Sequence, residues 1–152
     1  EALIDQAIGV YRAHHADALR RGSSLLPGTM EILTYLKQQG YLLAVASNRP
    51  KVYSLIVMEH LTILPFFDCV FCGDEMKRPK PDPEILWRIL DALQVKKDEA
   101  VFAGDMAVDI ETGKAAGIRT VAVTTGSCSP AEIQAAGPWR VIPRIDDLAA
   151  LL

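Results

Sequence analysis

The sequence predicts an α/β fold in which a parallel sheet carries helices on both faces. Short runs rich in Val, Phe and Ala alternate with helical patterns along most of the chain. The runs are apolar throughout and lack polar alternation, as expected of strands that are buried on both faces. Strands separated by helices of this length are typical of doubly wound, Rossmann-like three-layer folds with right-handed crossovers.

Composition and charge describe one globular domain. The chain has 152 residues, of which 50% are hydrophobic and 23% are charged, and its net charge is -3. A domain of this size buries roughly 68–70% of its unfolded surface, so it needs no disulfides. Three irregularly spaced cysteines favour a reduced, cytoplasmic setting. Basic residues do not cluster and apolar runs are short, which predicts neither nucleic-acid binding nor membrane insertion. No feature indicates the oligomeric state.

Two helices precede the first strand. The first is predicted from apolar residues spaced one, three and four apart, namely Leu3, Ile4, Ala7, Ile8 and Tyr11. It ends near the polar segment 21–24, and Pro27-Gly28 then opens a second helical pattern that stops at Gly40.

The remaining elements alternate. The predicted strands are Tyr41–Ser47, Asp68–Cys72, Ala100–Gly104, Thr120–Thr124 and a short one at Arg140–Ile142. The predicted helices are Val52–Leu61, Glu84–Leu93, Val108–Ala116 and a last one from Asp146. All the strands are expected to join one parallel sheet.

The first strand ends on polar residues. Ligands of open α/β sheets bind at the carboxyl ends of strands, and Ser47-Asn48 stands there before Pro50, which suits a first helical turn. A hydroxyl beside free N–H groups at a helix start is suited to phosphate. The alternative is that Ser47 and Asn48 only cap the helix.

The third strand ends on Gly104-Asp105, and Asp109 follows four residues later. Two carboxylates at this spacing can face one point, and magnesium is typically held by one or two carboxylates. Gly104 is expected to let the backbone turn sharply there. The alternative is a helix cap at Asp105 and a surface residue at Asp109.

A proline-rich loop follows the second strand. Pro79, Pro81 and Pro83 restrict its backbone, so Lys80 is predicted to be held in place, where its ammonium suits phosphate. The Cys69-x-x-Cys72 spacing is not predicted to bind zinc, because residues three apart on a strand face opposite sides.

These motifs together resemble the haloacid dehalogenase superfamily of hydrolases, in particular its phosphoglycolate phosphatase-like branch. Three of that family's four motifs stand in order at Ser47, Lys80 and Gly104–Asp109. The resemblance implies that Ser47 and Asn48 bind phosphate, that Lys80 neutralises it and that Asp105 binds Mg²⁺. It also implies that Asp109 orients Lys80 or a metal-bound water.

The resemblance also implies a domain division and an activity. Residues 1–22 would be the end of a helical cap, and residues 23–152 would be the core. The implied activity is that of a magnesium-dependent phosphatase of small phosphorylated metabolites, acting through an aspartyl-phosphate intermediate.

The family's first motif, Asp-x-Asp on the central strand, has no match before Ser47. The chain is therefore expected to be a family member cut inside its cap, to lack the central strand and to be inactive alone. The alternatives are a phosphomutase, phosphonate hydrolase or dehalogenase of the same superfamily, or a noncatalytic phosphate-binding or regulatory domain.

Overall fold

The computed structural model describes residues 2–126 and 128–152 and confirms the α/β class. The α-helices are α1 (Ala2–Gly22), α2 (Thr29–Gln38), α3 (Lys51–His60), α4 (Glu84–Leu93), α5 (Ala107–Ala116) and α6 (Pro130–Ala136). The strands are β1 (Ala44–Ser47), β2 (Cys69–Cys72), β3 (Val101–Gly104), β4 (Arg119–Val123) and β5 (Arg140–Ile142). Short 3-10 helices cover Leu64–Phe66, Gly73–Glu75, Lys97–Glu99 and Ile145–Leu151.

The strands form two parallel sheets rather than one continuous sheet, and the gap between them falls where the central strand was expected to be missing. In the described chain β1 pairs with β2, and β3, β4 and β5 pair in that order, while β1 and β3 do not pair with each other. Helix α4 packs against strands of both sheets and fixes their relative positions. The facing edges of β1 and β3 are consequently left without strand partners.

Helices cover both faces of the strands. Ile85, Leu86 and Ile89 of α4 pack with Ala46 of β1 and Phe102 of β3 on one face. On the other face a second cluster joins α2, β3, β4, β5 and the last 3-10 helix, through Ile32, Leu36, Val101, Val121, Ile142 and Leu148. Alternation along the strands therefore yields the three layers predicted from the sequence.

A cavity of about 620 Å³ lies between the two sheets. It is lined by residues at both open edges and by the helices above and below them, including Leu43, Ala44, Ala46, Val101, Phe102, Leu86 and Leu148. Nearly all of these side chains are apolar. The cavity therefore forms an apolar slot between β1 and β3.

The elements after β1 begin and end within about one residue of their predicted bounds, and three larger differences remain. Strand β1 begins at Ala44 because Tyr41 and Leu42 are exposed. The last helix is a 3-10 helix, and α6, capped by Ser129, was not predicted. Helix α4 has the predicted bounds.

Helix α1 lies against α3, where the rings of His15 and Tyr53 meet edge to face at 4.5 Å. Of its predicted apolar stripe, Leu3 and Ile4 are exposed, and the side chains of Ala7, Ile8 and Tyr11 lie outside the described ones. Within the described part of the chain, no helix has the length and apolar character needed to cross a membrane.

Candidate functional site

Lys80 reaches from its loop into the space between the two sheets. Its ammonium donates to the Ala46 carbonyl of β1 at 3.0 Å and pairs with the Asp109 carboxylate at 2.5 Å. It also stands 5.7 Å from the ring centre of Phe102 on β3. The Lys80 and Asp109 side chains are only 9% and 7% exposed. The lysine is thus held beside the end of β1, at the residue that precedes Ser47 in sequence.

The Asn48 side chain binds the backbone of Lys80 on both sides of its Cα. Its Nδ2 donates to the Lys80 carbonyl at 3.0 Å, and its Oδ1 accepts from the Lys80 N–H at 2.9 Å. Ser47 lies just before it, and the Ser47 hydroxyl accepts from the Arg49 N–H at 3.1 Å. Helix α3 begins only at Lys51, whose N–H is bound by Asp74, so the Ser47 contact does not cap the helix and the capping alternative is not supported. The role of Ser47 in phosphate binding stays a prediction.

Asp109 is fully engaged within the protein. One carboxylate oxygen holds the Lys80 ammonium, and the other accepts from the Met106 N–H at 3.2 Å at the start of α5. Gly104 makes room for it, because a Cβ at Gly104 would stand 2.3 Å from the Asp109 Cβ. Gly104 does not have a positive φ, so close approach rather than a left-handed turn explains this glycine.

Asp105 differs from Asp109 in its surroundings. It is exposed at the end of β3, and among the described residues its carboxylate has no hydrogen-bond or ion-pair partner. The loop after β4 packs against it, since a Cβ at Gly126 would stand 2.2 Å from its Oδ2. Sequence reasoning missed Gly126, although its position just after a strand was the available signal.

A second group of possible metal ligands lies at the end of β2. One ligand atom from each of Cys72, Asp74 and Glu75 falls within 4.8 Å of the others. Both carboxylates are already used, because Asp74 accepts from the Lys51 N–H and Glu75 binds the Lys51 ammonium at 2.7 Å. These contacts fasten the start of α3 to the end of β2.

The two cysteines of β2 face opposite sides, as predicted. Cys69 packs with Phe71 against α4, and the fully buried Cys72 lies in the other direction. Burial raises the pKa of both thiols. A buried thiol with a raised pKa is a poor nucleophile at neutral pH.

The structure therefore brings residues of three chain segments together at one edge. The end of β1, the Lys80 loop and the start of α5 are joined by direct hydrogen bonds, and Asp105 lies at the same edge on β3. A buried ammonium and an uncommitted carboxylate can serve an anion and a cation, respectively. Fold and site together define a Rossmann-like α/β protein with a charged site at the carboxyl ends of its strands.

The chain belongs to the haloacid dehalogenase-like hydrolase family, whose sequence model matches residues 1–123. It is similar to the plasmid phosphoglycolate phosphatase of Cupriavidus necator, with 32% identity over 96% of this chain and 63% of the relative. The phosphoglycolate phosphatase of Pseudomonas putida is 31% identical over 100% of this chain and 54% of the relative.

A solved structure agrees with this placement. The crystal structure of a predicted phosphoglycolate phosphatase from Haemophilus somnus superposes with a TM-score of 0.80 at 26% identity, covering 84% of this chain and 57% of that one. The chain thus spans between about half and two thirds of the length of these proteins. The resemblance to the phosphoglycolate phosphatase-like branch is confirmed.

Proposed function

We propose that these residues form part of a magnesium-dependent phosphatase of small phosphorylated metabolites that works through an aspartyl-phosphate intermediate. The observation that carries the proposal is the buried Lys80 ammonium, held by Asp109 and by the Ala46 carbonyl near the end of β1. A desolvated ammonium in a fixed position attracts the phosphoryl group and offsets its charge. The names of the two bacterial relatives support phosphoglycolate as a substrate class.

In this proposal the five site residues have different roles. The Ser47 hydroxyl binds the phosphoryl group, Asn48 assists Ser47, and Lys80 neutralises the phosphoryl charge. Asp109 pairs with the Lys80 ammonium and holds it in place. Asp105 is the residue suited to Mg²⁺, because its carboxylate is exposed and has no partner in the described part of the chain, and because Mg²⁺ prefers oxygen ligands. Mg²⁺ bound there would offset further phosphate charge.

The proposal places the nucleophilic aspartate on a strand that fills the slot between β1 and β3. The two facing edges and the apolar cavity of about 620 Å³ between them support this. One parallel strand entering the slot would pair with both edges and would end beside Lys80 and Asp105. In the same proposal α1 is the end of a mobile cap, and the three free thiols favour the cytoplasm.

A turnover assay with a generic aryl phosphate and Mg²⁺ tests the proposal. We expect the 152-residue chain to be inactive, because nucleophilic displacement needs a carboxylate in the slot. A version extended by the coding sequence upstream of Glu1, if it contains an apolar strand ending in Asp-x-Asp, should be active. Its Asp105→Asn variant should lose Mg²⁺-dependent turnover.

Two results would contradict parts of the proposal. Turnover by the short chain that disappears with Asp105→Asn would show that the slot does not hold the nucleophile. An extended protein that binds inorganic phosphate but does not hydrolyse esters would favour the noncatalytic phosphate-binding alternative.

A further inference from the structure

The Asn48 amide is placed to act on Lys80 through the backbone of that lysine. Its two contacts of 2.9 and 3.0 Å take up both the N–H and the carbonyl of Lys80. Pro79 and Pro81 have no N–H, so Lys80 supplies the only backbone donor between 79 and 81. A single amide side chain therefore binds both hydrogen-bonding groups of the residue at the centre of this loop.

The other end of this connection is also fixed. Gly73, just after β2, packs so closely on Asn48 that a Cβ there would lie 2.9 Å from the Asn48 carbonyl oxygen. Asn48 directly follows Ser47 at the end of β1. The amide thus joins a loop that carries a cation to a rigid strand end.

We propose that Asn48 is a positioning residue that holds the Lys80 ammonium in place through the Lys80 backbone. The inference rests on the proposed function, in which Lys80 neutralises the phosphoryl group. A lysine side chain has many rotamers, and anchoring its Cα lowers the entropy lost when the ammonium is held at one point. The contacts with Asp109 and Ala46 then need to fix only the end of the Lys80 side chain.

The expected effect is a local one. Removal of the amide should free the loop and let the Lys80 ammonium leave Asp109 more often. The Lys51 ammonium, which pairs with Glu75 on the neighbouring strand end, should keep its contact. Lys97 is exposed and is not flanked by prolines, so its labelling serves as the internal reference for that of Lys80.

Competitive acetylation of the 152-residue chain by limiting acetic anhydride, read by mass spectrometry, measures the exposure of each amine. We expect Asn48→Ala to raise Lys80 labelling about fivefold relative to Lys97. Asn48→Asp keeps an acceptor for the Lys80 N–H but cannot donate to its carbonyl, so a smaller rise is expected. Gln134→Ala, which removes an exposed amide on α6, should change nothing.

Binding of inorganic phosphate to the same variants, measured by calorimetry, completes the test. If Lys80 labelling stays within about twofold of the parent in both Asn48 variants, the inference is wrong. A parallel rise at Lys51 would mean general loosening and would equally overturn it. Weaker phosphate binding with unchanged Lys80 labelling would make Asn48 a direct ligand instead. Labelling needs no turnover, so failure of the phosphatase proposal would be seen separately.

Discussion

Replacement of Asp109 by Asn tests how much the buried ion pair with Lys80 stabilises the fold. The two side chains are 7% and 9% exposed and their charged atoms are 2.5 Å apart. The substitution preserves the shape of the side chain but removes its charge. An amide also has only one acceptor oxygen, so it cannot serve both the Lys80 ammonium and the Met106 N–H.

The loss in free energy of unfolding depends on the contacts that the Lys80 ammonium would keep. After the substitution its ammonium would keep the Ala46 carbonyl at 3.0 Å and the face of Phe102 at 5.7 Å. Breaking a buried pair from one side typically costs 3–5 kcal/mol, and the remaining contacts place this one at about 3 kcal/mol. With a urea slope of ~2 kcal/mol/M, the unfolding midpoint should fall by about 1.5 M.

Urea unfolding at pH 7, followed by circular dichroism, measures this shift, and Asp17→Asn is the matched control. Asp17 and Arg21 form an ion pair of the same 2.5 Å length on α1, but their side chains are 49% and 79% exposed. Loss of such an exposed pair costs about 0.5 kcal/mol or less. Equal shifts for the two variants would refute the argument that burial makes the Lys80 contact strong.

Three further predictions concern stability and reactivity. Gly104→Ala forces Asp109 to move and should lower the free energy of unfolding by about 1–3 kcal/mol; an unchanged urea midpoint would contradict this. The Leu43 N–H, followed by the Lys37 ammonium, lowers the pKa of Asp68 below 3.8. Asp68→Asn should therefore cost up to about 1 kcal/mol at pH 6, and this difference should vanish as pH falls well below 3.8, since the stabilising carboxylate is then protonated. Burial raises the pKa of the Cys72 thiol, so iodoacetamide at pH 7.5 should modify it only after urea is added.

The candidate site was predictable to the extent that it depends on strand ends. Ser47 and Asp105 could be selected because short apolar runs reveal where parallel strands finish. The prolines around Lys80 also indicated that the lysine is held. The partners that hold it, the Ala46 carbonyl and the two backbone contacts of Asn48, have no sequence signal. They depend on how a loop folds over a strand 32 residues or more away in sequence.

The sequence by itself determined the α/β class, the bounds of α4 and the order of the motifs, because helical and strand periodicities are local properties of a chain. The missing Asp-x-Asp motif indicated a sheet without its central strand, but only the tertiary structure showed that the edges of β1 and β3 stay apart around an apolar slot. It also decided that Asp109 is committed to Lys80, while Asp105 has no hydrogen-bond or ion-pair partner among the described residues. The physical reason is that strand pairing, and the choice of partner for a carboxylate, depend on which segments distant in sequence come into contact. Residue type and local spacing do not specify those contacts.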